Sequence, residues 1–213
     1  MHISSHAIMT LMKEFPKAQR EFLGNAGANE IGDIIINHSL GAAAASAASG
    51  WIPGAGGTAA LVASVGFIWS MYYRINQRMG ISISKNKLKS LASAVVANIA
   101  SAALSLVAGV AVSTVLTFIP GVGSVASSLI MAALDYGVVF AAGIMYLKML
   151  TRLCKDSTNL DTMSETDLKN AAKTVIESEN VKKIIKDAQN EYKTARKNGT
   201  VTGKEEVSLE KDD

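Results

Sequence analysis

The stretch TFIPGVGS, residues 117–124, lies inside a long apolar run and rewrites the stretch GWIPGAGG of residues 50–57: an aromatic residue, then Ile-Pro-Gly-x-Gly. Pro53 and Pro120 stand 67 positions apart. Proline lacks an N–H and clashes with the preceding turn, while glycine tolerates positive φ, so Pro53-Gly54 and Pro120-Gly121 are strong helix breakers. Each sits near the middle of a block without charge. From residue 34 to 73 there is no Asp, Glu, Lys or Arg, and from 90 to 147 there is one, Asp135. Each block is about twice the roughly 20 residues that one membrane span needs. The pattern predicts an all-α chain with four apolar helices of membrane type, about 34–50, 57–73, 91–118 and 124–147. They pair as two hairpins whose tips are the Ile-Pro-Gly-x-Gly elements.

Charge gives the hairpins an orientation. Lys13, Lys17 and Arg20 precede the first, Arg74, Arg78, Lys85, Lys87 and Lys89 lie between them, and Lys148, Arg152 and Lys155 follow the second. The positive-inside rule then puts all three basic blocks in the cytoplasm and both tips away from it. Trp51 and Phe118 mark the tips, and Trp69, Tyr72, Tyr73 and Tyr146 lie beside the basic ends, where interfacial aromatic belts are expected. The competing expectation is a bundle without a membrane whose buried helices are rich in alanine. LGAAAASAASG (residues 40–50) is small rather than greasy, and the mean hydropathy of +0.24 is moderate.

The expected organisation is an N-terminal amphipathic segment (1–30), hairpin one (31–74), a basic cytoplasmic connector (75–90), hairpin two (91–147), a soluble helical tail (148–198) and a disordered C-terminus (199–213). Residues 4–23 form an amphipathic helix that either lies on an anionic surface or covers the hairpin bases. Ser164 and Asp167 form a capping box that opens a helix to about Arg196, with i,i+4 pairs Lys173–Glu177, Glu179–Lys183 and Lys183–Asp187. The first 33 residues carry seven charges and no continuous apolar stretch, so no secretory signal is expected there.

Ser93, Ala97, Ser101, Ser105, Gly109 and Ser113 recur every four residues and so share one helix stripe. Small residues there let helices approach closely and serines bond across the contact; the alternative use is to line a pore. Asp135 costs about 2.5–3.5 kcal/mol at a bilayer centre, so it needs a partner, for which Asn98 and His38 are the candidates. It either fixes helix register or carries a proton or ion.

Several chemistries are not expected. A net charge of +3 with no basic stripe gives nucleic acid nothing to bind. Cys154 is the sole cysteine, which excludes an internal disulfide and a cysteine metal cluster. PGAGGTAA lacks the Gly-Lys-Ser/Thr ending of a phosphate loop. Three scattered histidines offer no nucleophile–base pairing. No enzyme and no cofactor are expected.

IPGAGG (52–57), INQRMGISISKNKLKSLA (75–92) and FIPGVGSVASSLIMAALDYGVVFAAGIMYLKML (118–150) together resemble the YcjF-like membrane-associated domain, over about Trp51 to Leu150. That resemblance implies an inner-membrane or membrane-docked module working beside an Era-like or dynamin-like GTPase; no GTPase domain is present in this chain. The expected function is a non-enzymatic anchor or scaffold in contact with the bilayer, a cytosolic GTPase and other copies of itself, with both termini cytoplasmic. The second expectation is a pore former, soluble until it inserts.

Overall fold

The computed structural model describes residues 2–49, 56–111, 123–156 and 158–210. Both Pro-Gly tips, Pro53-Gly54 and Pro120-Gly121, lie outside the described residues, as do Trp51 and Phe118. Seven α-helices are present among them and no strand: α1 (His2–Glu14), α2 (Lys17–Ser49), α3 (Gly56–Met79), α4 (Lys85–Ala111), α5 (Gly123–Lys155), α6 (Glu165–Ser178) and α7 (Val181–Lys197).

Local chemistry sets the breaks. Pro16 ends α1, and its carbonyl accepts the Arg20 N–H at 3.0 Å to open α2. Gly24 kinks α2 with φ 61 and ψ −178, a conformation that side chains disfavour. Gly80, at φ 67, closes α3 in a Schellman cap, with Ile81 N–H bonded to the Asn76 carbonyl at 2.9 Å. The Ser164–Asp167 capping box forms as expected. The helix it opens stops early, at Ser178, because Glu179 turns extended and Asn180 caps α7 by accepting the Lys183 N–H. The expected pairs Lys173–Glu177 and Lys183–Asp187 form, but Glu179 reaches Lys148 on α5 at 2.5 Å instead of Lys183.

Helix directions follow from which residues meet. Tyr72 meets Ala142 and Asn76 meets Tyr146, each 70 residues apart. A constant difference means that α3 and α5 run parallel. Lys85 lies over Tyr73 and Lys89 over Trp69, a constant sum, so α4 runs antiparallel to α3. His38 meets Ser70, and Gly143 lies against Ile35, so α2 runs antiparallel to both α3 and α5. Tyr136 stacks on Tyr192 while Lys148 pairs with Glu179, so α7 runs antiparallel to α5 as well.

The four membrane-type helices expected from the sequence reduce to one candidate. Only Ser128–Lys155 is long and apolar enough to cross a membrane among the described residues, and 83% of its apolar window is buried within the protein. Every residue from Met131 to Thr151 is buried except Lys148. A helix apolar on all sides needs apolar neighbours on all sides, and here α2, α3, α4 and α7 supply them. Of the other three, α2 and α3 fall short because alanine, glycine and serine remove charge from a helix without making it strongly hydrophobic, and the span expected at 91–118 runs beyond the described residues. Of the aromatic residues expected beside the basic ends, Trp69, Tyr72 and Tyr146 are core residues and Tyr73 is partly buried.

The two ends of the chain wrap this core. α1 covers the base, burying Ile8, Leu11, Met12 and Phe15, which decides between the two placements of the N-terminal segment. Phe22, apolar in sequence, stays 63% exposed. The C-terminal stretch expected to be disordered is ordered through Glu210. It crosses α2 and α3 as a strap, with Val207 against Gly41, and with Arg74 Nη2 donating to the Ser208 carbonyl at 2.5 Å.

Candidate functional site

Where α2, α3 and α5 meet, the apolar core contains a seam of polar groups. Three stations on α3, at Ser64, Ser70 and Asn76, are buried. At 1.5 Å rise per residue they are spaced about 9 Å apart along the helix.

At the first station Asp135 of α5 is 3% exposed. Burial raises its carboxyl from 3.8 to about 6, against hydrogen bonds from the Ser46 and Ser64 hydroxyls that favour the ionised form. One carboxyl oxygen, Oδ1, has no hydrogen-bond partner. The expected partners of Asp135 are therefore corrected. Asn98 is exposed on α4 and turns its amide to the Ala94 carbonyl at 2.7 Å, and His38 faces Ser70. The polar groups that hold Asp135 are serines, and a serine in an alanine-rich helix gives no sequence signal that separates a ligand from a packing residue.

At the second station His38 is 1% exposed. Its Nδ1 lies 2.7 Å from the Ile34 carbonyl, an acceptor only, so Nδ1 carries the proton and Nε2 accepts from Ser70 Oγ at 3.3 Å. Ser70 Oγ in turn accepts the Glu210 N–H of the C-terminal strap at 2.9 Å. Burial, followed by the charge of Arg74, pushes the imidazole from 6.5 down to about 4, and the bond to Ile34 only partly offsets this. The link from His38 to the strap spans the chain from residue 38 to residue 210, and the sequence gives no sign of it.

At the third station Tyr146 donates to Asn76 Oδ1 at 2.5 Å, and Tyr72 donates to the Ala142 carbonyl at 3.1 Å. Burial pushes both phenols up, so neither ionises in the folded protein.

Comparison with family models, with curated proteins and with solved structures returns no match. The chemistry of the seam therefore rests on its own geometry. It has one carboxyl, one neutral imidazole and several hydroxyls, strung along the core and not converging on a point. Among the described residues, no three His, Cys, Asp or Glu side chains group to hold a metal ion.

The remaining sequence-level candidates are spread over α4. Ser101 and Ser105 face outward, and Ser105 bonds the Ala102 carbonyl of its own helix at 2.8 Å. Ser93 does the same to Lys89 at 3.0 Å. The described part of the stripe, Ser93 to Ser105, thus lies on the outside of the bundle. Gly109 lies in α4, and nothing further is described of it. The basic residues expected at the cytoplasmic end are largely engaged: Arg78 pairs with Glu30, Lys85 with Glu210 and Lys148 with Glu179, and Lys87 Nζ donates to the Met163 carbonyl at 2.6 Å. A polar cavity of about 290 Å³ sits at the same end, lined by Glu14, Lys148, Arg152, Lys155 and Ser178 among others.

Proposed function

We propose that this chain is a non-enzymatic, membrane-docked helical module that presents a basic end to a cytosolic partner. The parallel arrangement of α3 and α5 is the observation that carries this reading. The two helices begin at Gly56 and Gly123, each the last residue of an Ile-Pro-Gly-x-Gly element, and they pair side by side at a 70-residue offset. The starts of α3 and α5 therefore lie at one end of the bundle, while Arg78, Lys85 and Lys148 gather at the other. One apolar end and one basic end are the polarity of a protein held at an interface. Because α5 is wrapped by its own chain, the contact with lipid is assigned to the uncharged stretches around residues 50–55 and 112–122. Docking then places the module on the cytoplasmic face of the inner membrane, with both termini in the cytoplasm. The resemblance to the YcjF-like domain makes a GTPase the partner of choice at the basic end.

Flotation with purified full-length protein and vesicles of phosphatidylglycerol and phosphatidylethanolamine tests the docking. The protein is expected to float with the vesicles and to stay bound in high salt, since apolar insertion is not screened. Ile52→Asp and Ile119→Asp each place a charge in one stretch and are expected to release it. Wild-type protein left at the bottom of the gradient with every vesicle composition overturns the reading.

A second reading, a pore former that inserts from a folded store, is favoured by one observation. The one candidate span among the described residues, in α5, is covered on one side by α6 and α7, whose outer faces are charged. Release of a small dye from the same vesicles separates the two, because docking alone leaves them sealed.

A further inference from the structure

The C-terminal strap is held by a short set of contacts, and one of them ends on the buried histidine. Gly203, at φ 74, packs on Arg196, whose guanidinium donates to the Val201 carbonyl at 3.2 Å, and this sets the strap's departure from α7. Glu205 closes the turn by accepting the N–H groups of Thr202 and Gly203, the latter at 2.8 Å. Val207 then covers Gly41, Arg74 holds the Ser208 carbonyl, and Glu210 pairs with Lys85 at 3.4 Å while its N–H donates to Ser70. Beneath the strap lies a cleft of about 570 Å³ on the small-residue face of α2, lined by Gly41, Ala44, Ala45, Ala48 and Phe67.

From this geometry we infer that the strap is an acid-released latch: protonation of His38 breaks the relay His38–Ser70–Glu210 and bares the small-residue face of α2. The relay runs in one direction only. Glu210 N–H donates to Ser70 Oγ, and Ser70 O–H donates to Nε2, which must be unprotonated to accept. A proton on Nε2 reverses the second bond. The Ser70 hydroxyl hydrogen then loses its acceptor in a buried site, and a cation is created beside Arg74.

The other ionisable groups around the latch do not give the same response. On α3, Arg74 is already cationic. On α4, Lys85 is held by the strap's own Glu210. On the strap, the hydrogen bonds that Glu205 accepts hold its carboxyl below the usual value despite partial burial. On α5, Asp135 has the opposite preference, because burial makes it hold its proton more tightly in the folded state.

The sign follows directly. His38 titrates near 4 when covered, against 6.5 in water. The closed state is fully favoured above 6.5 and loses ground as pH falls from 6.5 towards 4. At pH 5 the open-to-closed ratio rises by at most about thirtyfold relative to neutral pH, if opening restores full hydration to the ring. A bared face of Gly41, Ala44, Ala45 and Ala48 is one on which a second helix backbone can lie closely. The latch stands whether or not the protein docks on a bilayer.

Hydrogen exchange read by mass spectrometry on the full chain tests it, corrected for intrinsic exchange rates, from pH 7.5 to 4.5. The wild type is expected to lose at least tenfold protection at residues 207–210 across this range while α5 stays protected. His38→Gln keeps an acceptor for Ser70 but cannot take the proton, and is expected to hold the strap at every pH. Glu210→Gln removes the carboxylate titration and is expected to keep the acid response. Gly41→Ala puts a methyl 2.3 Å from Val207 Cγ1 and is expected to open the strap at neutral pH. Flat wild-type protection overturns the latch, and so does a His38→Gln variant that opens with the wild-type midpoint. If His38→Gln does not fold, Ser70→Ala replaces it, since it leaves His38 in place and removes the relay. That variant must show a loosened strap at pH 7.5 and a flattened pH response, and wild-type behaviour from it overturns the proposal equally.

Discussion

Tyr72 and Tyr146 stack with ring centroids 3.9 Å apart and planes at 15°, and each sends its hydroxyl to the other's helix. Tyr72 donates to the Ala142 carbonyl, and Tyr146 donates to Asn76 Oδ1. The pair locks the parallel α3–α5 contact on which the common origin of the two helices rests. Tyr146→Phe keeps the stack but strands a buried amide oxygen, so a loss of about 1–3 kcal/mol is expected. Tyr72→Phe removes a bond to a carbonyl already served by its helix and should lose only about 0.5–1.5 kcal/mol. Urea denaturation of the two variants checks the order, and the reverse order would show that the Asn76 contact is not the stronger tie.

Asp135 sets a pH dependence opposite to that of an ion-paired carboxylate. Its folded value of about 6 lies above the unfolded 3.8, so the folded state binds the proton more tightly. Its unfavourable contribution is absent below the unfolded value, grows as pH rises from about 4 to 6, and is constant above. Asp135→Asn removes the charge and keeps most of the shape. At pH 7.5 it is expected to be more stable than the wild type by about 1–3 kcal/mol, with the difference gone near pH 4. Chemical denaturation at both pH values decides it. A variant that is less stable than the wild type at pH 7.5 would mean that the ionised carboxylate has a partner that stabilises it.

Two glycines on α5 distinguish a contact that can yield from one that cannot. A methyl on Gly137 would lie 2.8 Å from the Ile185 carbonyl oxygen of α7, and backbone cannot move aside cheaply. A methyl on Gly143 would meet the ends of the Ile35 and Met71 side chains at 2.9–3.2 Å. Gly137→Ala is therefore expected to destabilise by about 1–3 kcal/mol, and Gly143→Ala by clearly less. Thermal melts of both variants measure the difference, and equal shifts would place α7 further from α5 than found here.

Cys154, at the end of α5, is half-buried, and burial pushes its thiol up. Only the thiolate reacts with alkylating reagents, so native protein at pH 7.5 should be alkylated slowly, and unfolded protein at least tenfold faster. A native rate equal to the unfolded rate would mean that the base of α5 opens readily.

The sequence alone determined the all-helical class and the start of α6. The Ser164–Asp167 box acts through local hydrogen bonds that are readable within a few residues, whereas the helix expected over 4–23 is broken at Pro16, and the two Pro-Gly elements lie outside the described residues. The sequence also determined that α5 must be shielded on every side, because its run from Met131 to Leu147 holds a single charge. What does the shielding was not legible. A helix apolar all round satisfies the same composition rule in lipid and in the centre of a bundle. Only the tertiary structure showed α5 enclosed by its own chain and α1 laid over the base.

The same limit governs the seam. Asp135 was recognisable as a costly isolated acid, but its serine partners and the His38–Ser70–Glu210 relay join residues that lie 32 to 140 positions apart. Register between helices is set by side-chain packing over such separations, and no local pattern encodes it. The strap shows this most plainly. Residues 199–210 are polar enough to read as unstructured, and they are ordered because Arg74, Ser70, Lys85 and Gly41 meet them from three other segments.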